Sequence, residues 1–337
     1  MKRKDLLEAL EDVKPGLATT EVLEQSSQFA FMGDKIVTYN DEICVSRKLE
    51  ELAGFTGAVN SDLLYKLLNK LTFEEVTLLP DGDKLIIKSG KSTTTFNIQK
   101  EIRLPLGEVE KPKEWHQLPK EFIPSLDMAS KCCAKTNSTP VLTCVHIRAD
   151  GYMEASDGYR LIKSHYGKAL PIQACLLPGN TAARVSQYKA TNIAKTKSWL
   201  HFRSGKTVLS CRVFEENFPK TEDKFNVKGH RLNFPPVLSN ILDRAAVFTR
   251  NDQLSLQYVE VKVADKKITV QADHENAVFK EHAKYKGNEQ VTFTVNPTFL
   301  QQMIKDGNYK CHMNKTTMKF QADNWEYVVC LITKNAE

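Results

Sequence analysis

Several residues in this chain could do chemistry, but their spacing points away from catalysis. Ser204-Gly205-Lys206-Thr207 contains the Gly-Lys-Thr of a phosphate-binding loop. That loop also needs a glycine five positions before Gly205, where Leu200 stands, and a helix after it, whereas here the tripeptide sits in a turn between two alternating apolar runs. Asp41, Asp157 and Asp273 could supply carboxylates. They recur at one place in three separate stretches, however, and read as hairpin-end turn formers. No His-Glu-x-x-His, Gly-x-Ser-x-Gly or Gly-x-Gly-x-x-Gly occurs, and the eight histidines are scattered. The eight cysteines show no Cys-x-x-Cys spacing. Cys132 and Cys133, being adjacent, cannot take neighbouring corners of a standard zinc site. Cys44, Cys144, Cys175 and Cys330 lie in apolar runs and are expected to be small buried hydrophobes. No catalytic residue, metal or cofactor is expected.

Around these residues the chain is organised as repeats. The segment from Val145 to Asp157 reads as strand, tight turn and strand. The same pattern runs from Phe29 to Asp41 and from Val261 to Asp273, without a gap, the closing aspartates being 116 residues apart each time. Two equal offsets imply three tandem copies of one domain. A second series agrees: Val59-Asn60-Ser61, Leu177-Pro178-Gly179 and Val295-Asn296-Pro297 each end a strand and open a helix, at offsets of 118. Helices are predicted over Leu63 to Leu71, Ala182 to Ala190 and Thr298 to Ile304. The front halves are predicted to open with helices over Lys4 to Val13, Lys120 to Cys133 and Pro236 to Phe248. Further hairpins are expected over Leu78 to Ile98, Leu200 to Val213 and Cys311 to Ile332. The fold class is therefore α+β, with domains 1–110, 111–228 and 229–337, each two halves of helix plus antiparallel sheet. Short charged linkers run from Gly107 to Lys113 and from Asn226 to Arg231.

Within these helices, Leu63, Leu64, Leu67, Leu68 and Leu71 are expected to form one packing stripe, with Lys66 and Lys70 outside it. Phe299, Leu300, Met303 and Ile304 should face inward, with Gln301, Gln302 and Lys305 outward. Composition is that of a globular protein, at 41% apolar and 26% charged. No apolar run approaches a membrane span, and the N-terminus has no apolar signal core, so a cytoplasmic location is expected. The net charge of +6 is uneven, with −5 in residues 1–110, +9 in 111–228 and +2 in 229–337. A basic middle domain suits a polyanionic partner or a mixed solvated surface.

A family resemblance enters at Ala155-Ser-Asp-Gly-Tyr-Arg-Leu161, which resembles the Ala-Thr-Asp-Gly-His-Arg-Leu segment of bacterial sliding clamps, the beta subunit of DNA polymerase III. Asn217-Phe218-Pro219 is similar to the Arg/Lys-Phe-Pro closing that family's middle domain. Leu242 to Phe248 resembles the opening of its third domain, and Tyr327 to Ile332 its last strand. The likeness is strong over about residues 115 to 332 and weaker before. It implies a homodimeric ring with helices lining a hole and sheets outside, through which duplex DNA threads independently of sequence. DNA polymerase and a clamp loader would dock by short linear peptides. A sliding ring holds phosphates without reading bases, through scattered Lys and Arg. Candidates are Lys66, Lys70, Lys131, Lys135, Arg184, Lys189 and Lys195, for each of which an ordinary surface role is the alternative.

By the same resemblance, the peptide pocket comprises Ser156, Gly158, Tyr159, Arg160 and Leu161 on one wall, Pro219 at an edge, and Val328, Val329, Cys330, Leu331 and Ile332 opposite. Val141 or Leu142 would add a floor. A plain core strand is the other reading of Val328 to Ile332. Subunit contact would set Phe96 against Val247 and Phe248. Tyr159 replaces the family's histidine, Cys330-Leu331-Ile332 lacks its proline, and Asp223-Lys224 replaces a basic-then-apolar pair. The family's opening strand is also missing from the start of this chain, a shortening that would suit a phage or other mobile element. The leading expectation is a processivity clamp. A monomeric adaptor that binds replication-protein peptides without encircling DNA is the alternative, and a nuclease is disfavoured for lack of paired carboxylates.

Overall fold

The computed structural model describes residues 1–52, 54–136, 139–249, 256–305, 307 and 309–332. Among them are six α-helices: α1 (Arg3–Val13), α2 (Ser61–Lys70), α3 (Phe122–Ser130), α4 (Gly179–Ser186), α5 (Leu238–Ala246) and α6 (Pro297–Lys305). Every helix lies on a predicted one. Three start where the second repeat series placed them, and the caps show why. Asn60 Oδ1 accepts the Leu63 N–H at 2.9 Å, and Asn296 Oδ1 accepts the Thr298 N–H at 3.0 Å. Packing divides the chain into two compact units. The first comprises Met1–Ser130, His146–Gly151 and Gly167–Glu216, and the second Lys131–Val145, Tyr152–Tyr166 and Asn217–Glu337.

Unit 1 is built on an eight-stranded antiparallel sheet. Its order is Phe55–Asn60, Gln28–Gly33, Lys35–Tyr39, Ile43–Lys48, Thr207–Arg212, Trp199–Ser204, Asn192–Lys195 and His116–Gln117. The seam at its centre joins strands far apart in sequence, with Val45 opposite Leu209 and Cys44 opposite Ser210. A smaller sheet carries Thr77–Asp81, Lys84–Ser89 and Ser92–Asn97. Helices α1 and α2 pack as one pair and α3 and α4 as another. Leu6, Ala9, Leu10 and Val13 of α1 are buried, at roughly 1.5–3 kcal/mol for each large side chain removed from water. The leucine stripe of α2 is narrower than expected: Leu64 and Leu68 are fully buried, whereas Leu63 is 59% exposed. A ten-residue helix lying on a sheet by one edge covers only its i, i+4 row. The Gly-Lys-Thr tripeptide is confirmed as a hairpin turn, Gly205 supplying φ +53° before the strand Thr207–Arg212.

In unit 2 the strands Tyr152–Ser156, Arg160–His165, Trp325–Cys330, Thr317–Ala322, Lys310–Met313 and His230–Asn233 follow one another in one antiparallel sheet. Its seam pairs Leu161 with Val328 and Ile162 with Tyr327. A second sheet runs Ala277–Lys284, Lys267–His274, Val259–Ala264 and Val291–Val295. Helices α5 and α6 pack together, and the inward set Phe299, Leu300, Met303 and Ile304 is buried as expected. The amides of α6 are not simply solvated. Gln301 Nε2 donates to Asp243 Oδ1 at 3.0 Å, and Gln302 Oε1 accepts from Arg160.

Of the three repeated aspartates, Asp157 follows directly on a strand and Asp41 follows one after Asn40, while Asp273 lies inside Lys267–His274 opposite Val278, ahead of the turn. The hairpin-end reading therefore holds for two of them and fails for the third. All eight cysteines are free, and Cys330 is exposed rather than buried because its side of the strand faces outward.

Candidate functional site

The corner from Ser156 to Leu161 is shaped by its own polar groups. Asp157 Oδ1 accepts the N–H of Tyr159 and of Arg160, each at 3.0 Å, closing an Asx turn that Gly158 completes at φ +88°. Ser156 Oγ donates to the Arg160 carbonyl at 2.7 Å and accepts the Gly158 N–H at 3.1 Å. The Arg160 side chain is 11% exposed. Its Nε donates to Asp157 Oδ2 at 2.8 Å, Nη1 to Gln302 Oε1 at 2.7 Å and Nη2 to the Lys131 carbonyl, and the guanidinium stacks 4.2 Å from the Phe299 ring. Arg160 is thus a fastener of the corner, each of its three guanidinium nitrogens already donating within the protein. Burial pushes the neighbouring Cys132 thiol up to about 12 and raises Cys133 as well. Among the described residues, no three His, Cys, Asp or Glu side chains are grouped to hold a metal ion.

Directly paired residues in a sheet share a face, so Leu161 and Val328 stand side by side opposite the face occupied by Arg160 and Val329. Val329 is fully buried, and for it the core-strand reading holds. Leu161 and Val328 are only 7% and 4% exposed because Phe225, with the half-buried Val227 beside it, packs over them. The segment carrying Phe225 is a short 3₁₀ turn, Glu222–Phe225, tied to the sheet at two points. Thr221 Oγ1 donates to Glu154 Oε1 at 2.9 Å, and Lys319 Nζ donates to the Phe225 carbonyl at 3.0 Å while pairing with Glu326. Phe225, Val227 and Lys319 were not among the sequence candidates. Two apolar residues two apart just after Phe218-Pro219 were the only available hint.

The remaining pocket candidates are dispersed. Cys330 N–H donates to the Tyr159 carbonyl at 2.8 Å, and both side chains are exposed beside the corner. Leu331 and Ile332 leave the sheet, their N–H groups going to Thr316 and Thr294 carbonyls, and line a separate groove of about 500 Å³ with Phe293 and Met313. Leu142 is half-buried and Pro219 exposed, and neither belongs to the Leu161–Val328 cluster. Val141 is buried.

The basic candidates fall in different settings. Lys66 and Lys70 are exposed on α2, Lys66 paired with Asp62 at 2.8 Å. Lys131 and Lys135 are exposed in the turns after α3, and Lys189 in the turn after α4. Arg184 is exposed on α4 with Nη1 donating to the Pro15 carbonyl at 2.9 Å. Lys195 is folded back, its ammonium donating to the carbonyls of Thr196 and Lys197. Phe96 is 8% exposed and packs within its own sheet opposite Leu85. Val247 is exposed, and Phe248 stacks on Phe279 at 5.4 Å.

Paired helices laid on antiparallel sheets, repeated along the chain, are the fold of the bacterial sliding clamps. The structure of DNA polymerase III subunit beta from Pseudomonas aeruginosa is similar over 99% of both chains, at 16% sequence identity and a TM-score of 0.84. The beta subunit from Streptococcus pyogenes matches over 99% of both chains at 15% identity and 0.85. The sliding clamp from Bacillus subtilis matches over 99% of this chain and 98% of its own at 13% identity and 0.84. Neither a protein-family model nor a curated protein sequence matches the chain.

Proposed function

We propose that this chain is a sliding clamp, a non-enzymatic processivity factor that encircles duplex DNA as a homodimeric ring and tethers a DNA polymerase to it. The observation that carries the reading is the fold correspondence over 99% of both chains with DNA polymerase III beta subunits. Three clamp domains, 1–110, 111–228 and 229–337, would make up each subunit. Exposed Lys66, Lys70 and Arg184 on α2 and α4, and Lys131, Lys135 and Lys189 in the turns after α3 and α4, suit non-specific phosphate contact, while Lys195 would serve its own loop. Polymerase and loader would present peptides to the Leu161–Val328 pair, and the Glu222–Phe225 segment would have to lift to admit them. Two edge strands could close the ring. Ser92–Asn97 ends the sheet that contains Phe96, and Ala277–Lys284 ends another, with Val278 66% exposed and Phe279 stacked on Phe248.

A ring's grip on DNA is topological. Purified protein loaded on nicked circular duplex should stay bound through a high-salt wash and be lost within minutes once the circle is linearised. Equal retention on both forms rules the ring out. The burial of Phe96 within its own protomer favours the second reading, a monomeric adaptor that binds the same peptides. A solution mass of one chain at micromolar concentration, with peptide binding intact, selects it.

A further inference from the structure

On the face that carries Leu161 and Val328, the row continues strand by strand: Val328 lies opposite Lys319, Lys319 opposite His312, and His312 opposite Arg231. An apolar pair therefore passes directly into a row of basic side chains. Beyond it the surface sinks into a trough of about 910 Å³ lined by Arg231, Lys286, Lys310 and Lys319, with Glu289 and Asp323 as its acids. Glu289 is occupied with the Tyr285 hydroxyl at 2.9 Å, and Lys319 with Glu326. Arg231, Lys286 and Lys310 are exposed, and none has an ion-pair partner among the described residues.

We propose that this trough binds the acidic flank of the peptide whose apolar anchor seats on Leu161 and Val328, so that the partner is an extended segment with Leu or Phe followed or preceded by Asp and Glu. The proposal rests on the docking reading above. Three strand spacings separate Val328 from Arg231, roughly 14 Å, which an extended peptide covers in about four to five residues. That sets where the acids should fall. A peptide is favoured over a nucleic acid because the cations adjoin an apolar pair on one continuous sheet face, and a phosphate backbone has no use for the apolar half. The exposed cations would add affinity by long-range attraction and in salt-dependent fashion.

The test uses the full chain and two fluorescein-labelled peptides. In one, a Leu-Phe pair is separated by three serines from a Glu-Glu pair on each side, and in the other Gln-Gln replaces each acidic pair. At about 50 mM salt the acidic peptide should bind roughly tenfold tighter, as two or three exposed ion pairs would give. Arg231→Glu with Lys310→Glu, and separately Lys286→Glu, should shrink that advantage without altering the affinity of the Gln peptide or the melting temperature. Equal binding of both peptides to the unaltered protein would overturn the trough and leave the docking site standing. Failure of both to bind overturns the docking reading, and the trough with it. Loss of duplex DNA binding in the charge-reversed proteins, with the peptide difference unchanged, would reassign the cations to phosphates.

Discussion

The molecule contains two seams of the same kind, and they are covered very differently. In unit 1, Ile43–Lys48 pairs with Thr207–Arg212, and in unit 2, Arg160–His165 pairs with Trp325–Cys330, each joining the strand after a repeated aspartate to a strand from the next copy. Over the first lies a deep cluster of Tyr39, Cys44, Leu104 and Trp199, sealed by Ile102, Leu106 and Val109 from the linker region. That linker is pinned: its Glu108 carbonyl accepts the Trp199 indole N–H at 2.9 Å, and the Glu108 carboxylate pairs with Arg212 at 3.1 Å. Over the second seam, among the described residues, the cover is Phe225 and Val227. Equivalent places in a repeat thus become a core in one unit and a thinly lidded surface in the other. Docking is expected where the cover is thin.

The sharpest way to break this contrast is to remove the first cover. Trp199→Ala deletes a fully buried indole that also bonds the linker, so unit 1 should lose about 3–5 kcal/mol, measured by urea unfolding. A loss below about 1 kcal/mol would mean that the two seams are not different in kind. The next largest effect separates the units by pH. His201 of unit 1 is 1% exposed, held between Ser210 Oγ at 2.8 Å and Thr196 Oγ1 at 3.0 Å, and burial holds its imidazole down at about 4. It is neutral when folded, whereas the unfolded imidazole takes up a proton near 6.5. Stability from this group is therefore complete above about pH 6.5 and declines as pH falls toward 4, by about 3 kcal/mol in all. His201→Gln should flatten that part of the pH profile of unfolding, and a slope unchanged by the substitution would assign acid lability elsewhere.

Local features of this architecture were legible in the sequence because they repeat. Equal offsets located the strand ends and helix starts at Asn60, Pro178 and Asn296, since capping and alternation act over a few residues. What joins the units' strands acts over more than 160 residues, as in Arg160 opposite Val329, and no local period encodes it. For the same reason Arg160 was read as a pocket wall, although its guanidinium turns to Gln302 and Phe299 on the other face. Leu331 and Ile332 were read as one wall with Val328, yet the chain leaves the sheet after Cys330 and turns them toward Phe293. The charges after Pro219, noted as departures, concealed Phe225, which packs over Leu161 and Val328.

Phe225 is where the contrast can be sharpened most finely. If it is core in the sense that Trp199 is, Phe225→Ala should destabilise and also weaken any peptide that uses Leu161 and Val328. If it is a lid, the two effects separate. Burial of one phenyl group in a four-residue cluster is worth about 1.5–3 kcal/mol, so unit 2 should lose that or less. The peptide, no longer competing with Phe225 for the same two side chains, should gain affinity by roughly threefold to tenfold, since a larger fraction of the protein is already open. Lys319→Met tests the same lid from its other end. It removes the ammonium that holds the Phe225 carbonyl at 3.0 Å but leaves every apolar contact in place, so an uncharged peptide should again bind more tightly, by a smaller factor. Tighter binding in both proteins, measured by fluorescence polarisation with the Gln peptide, identifies a lid, and weaker binding in both returns Leu161 and Val328 to the core.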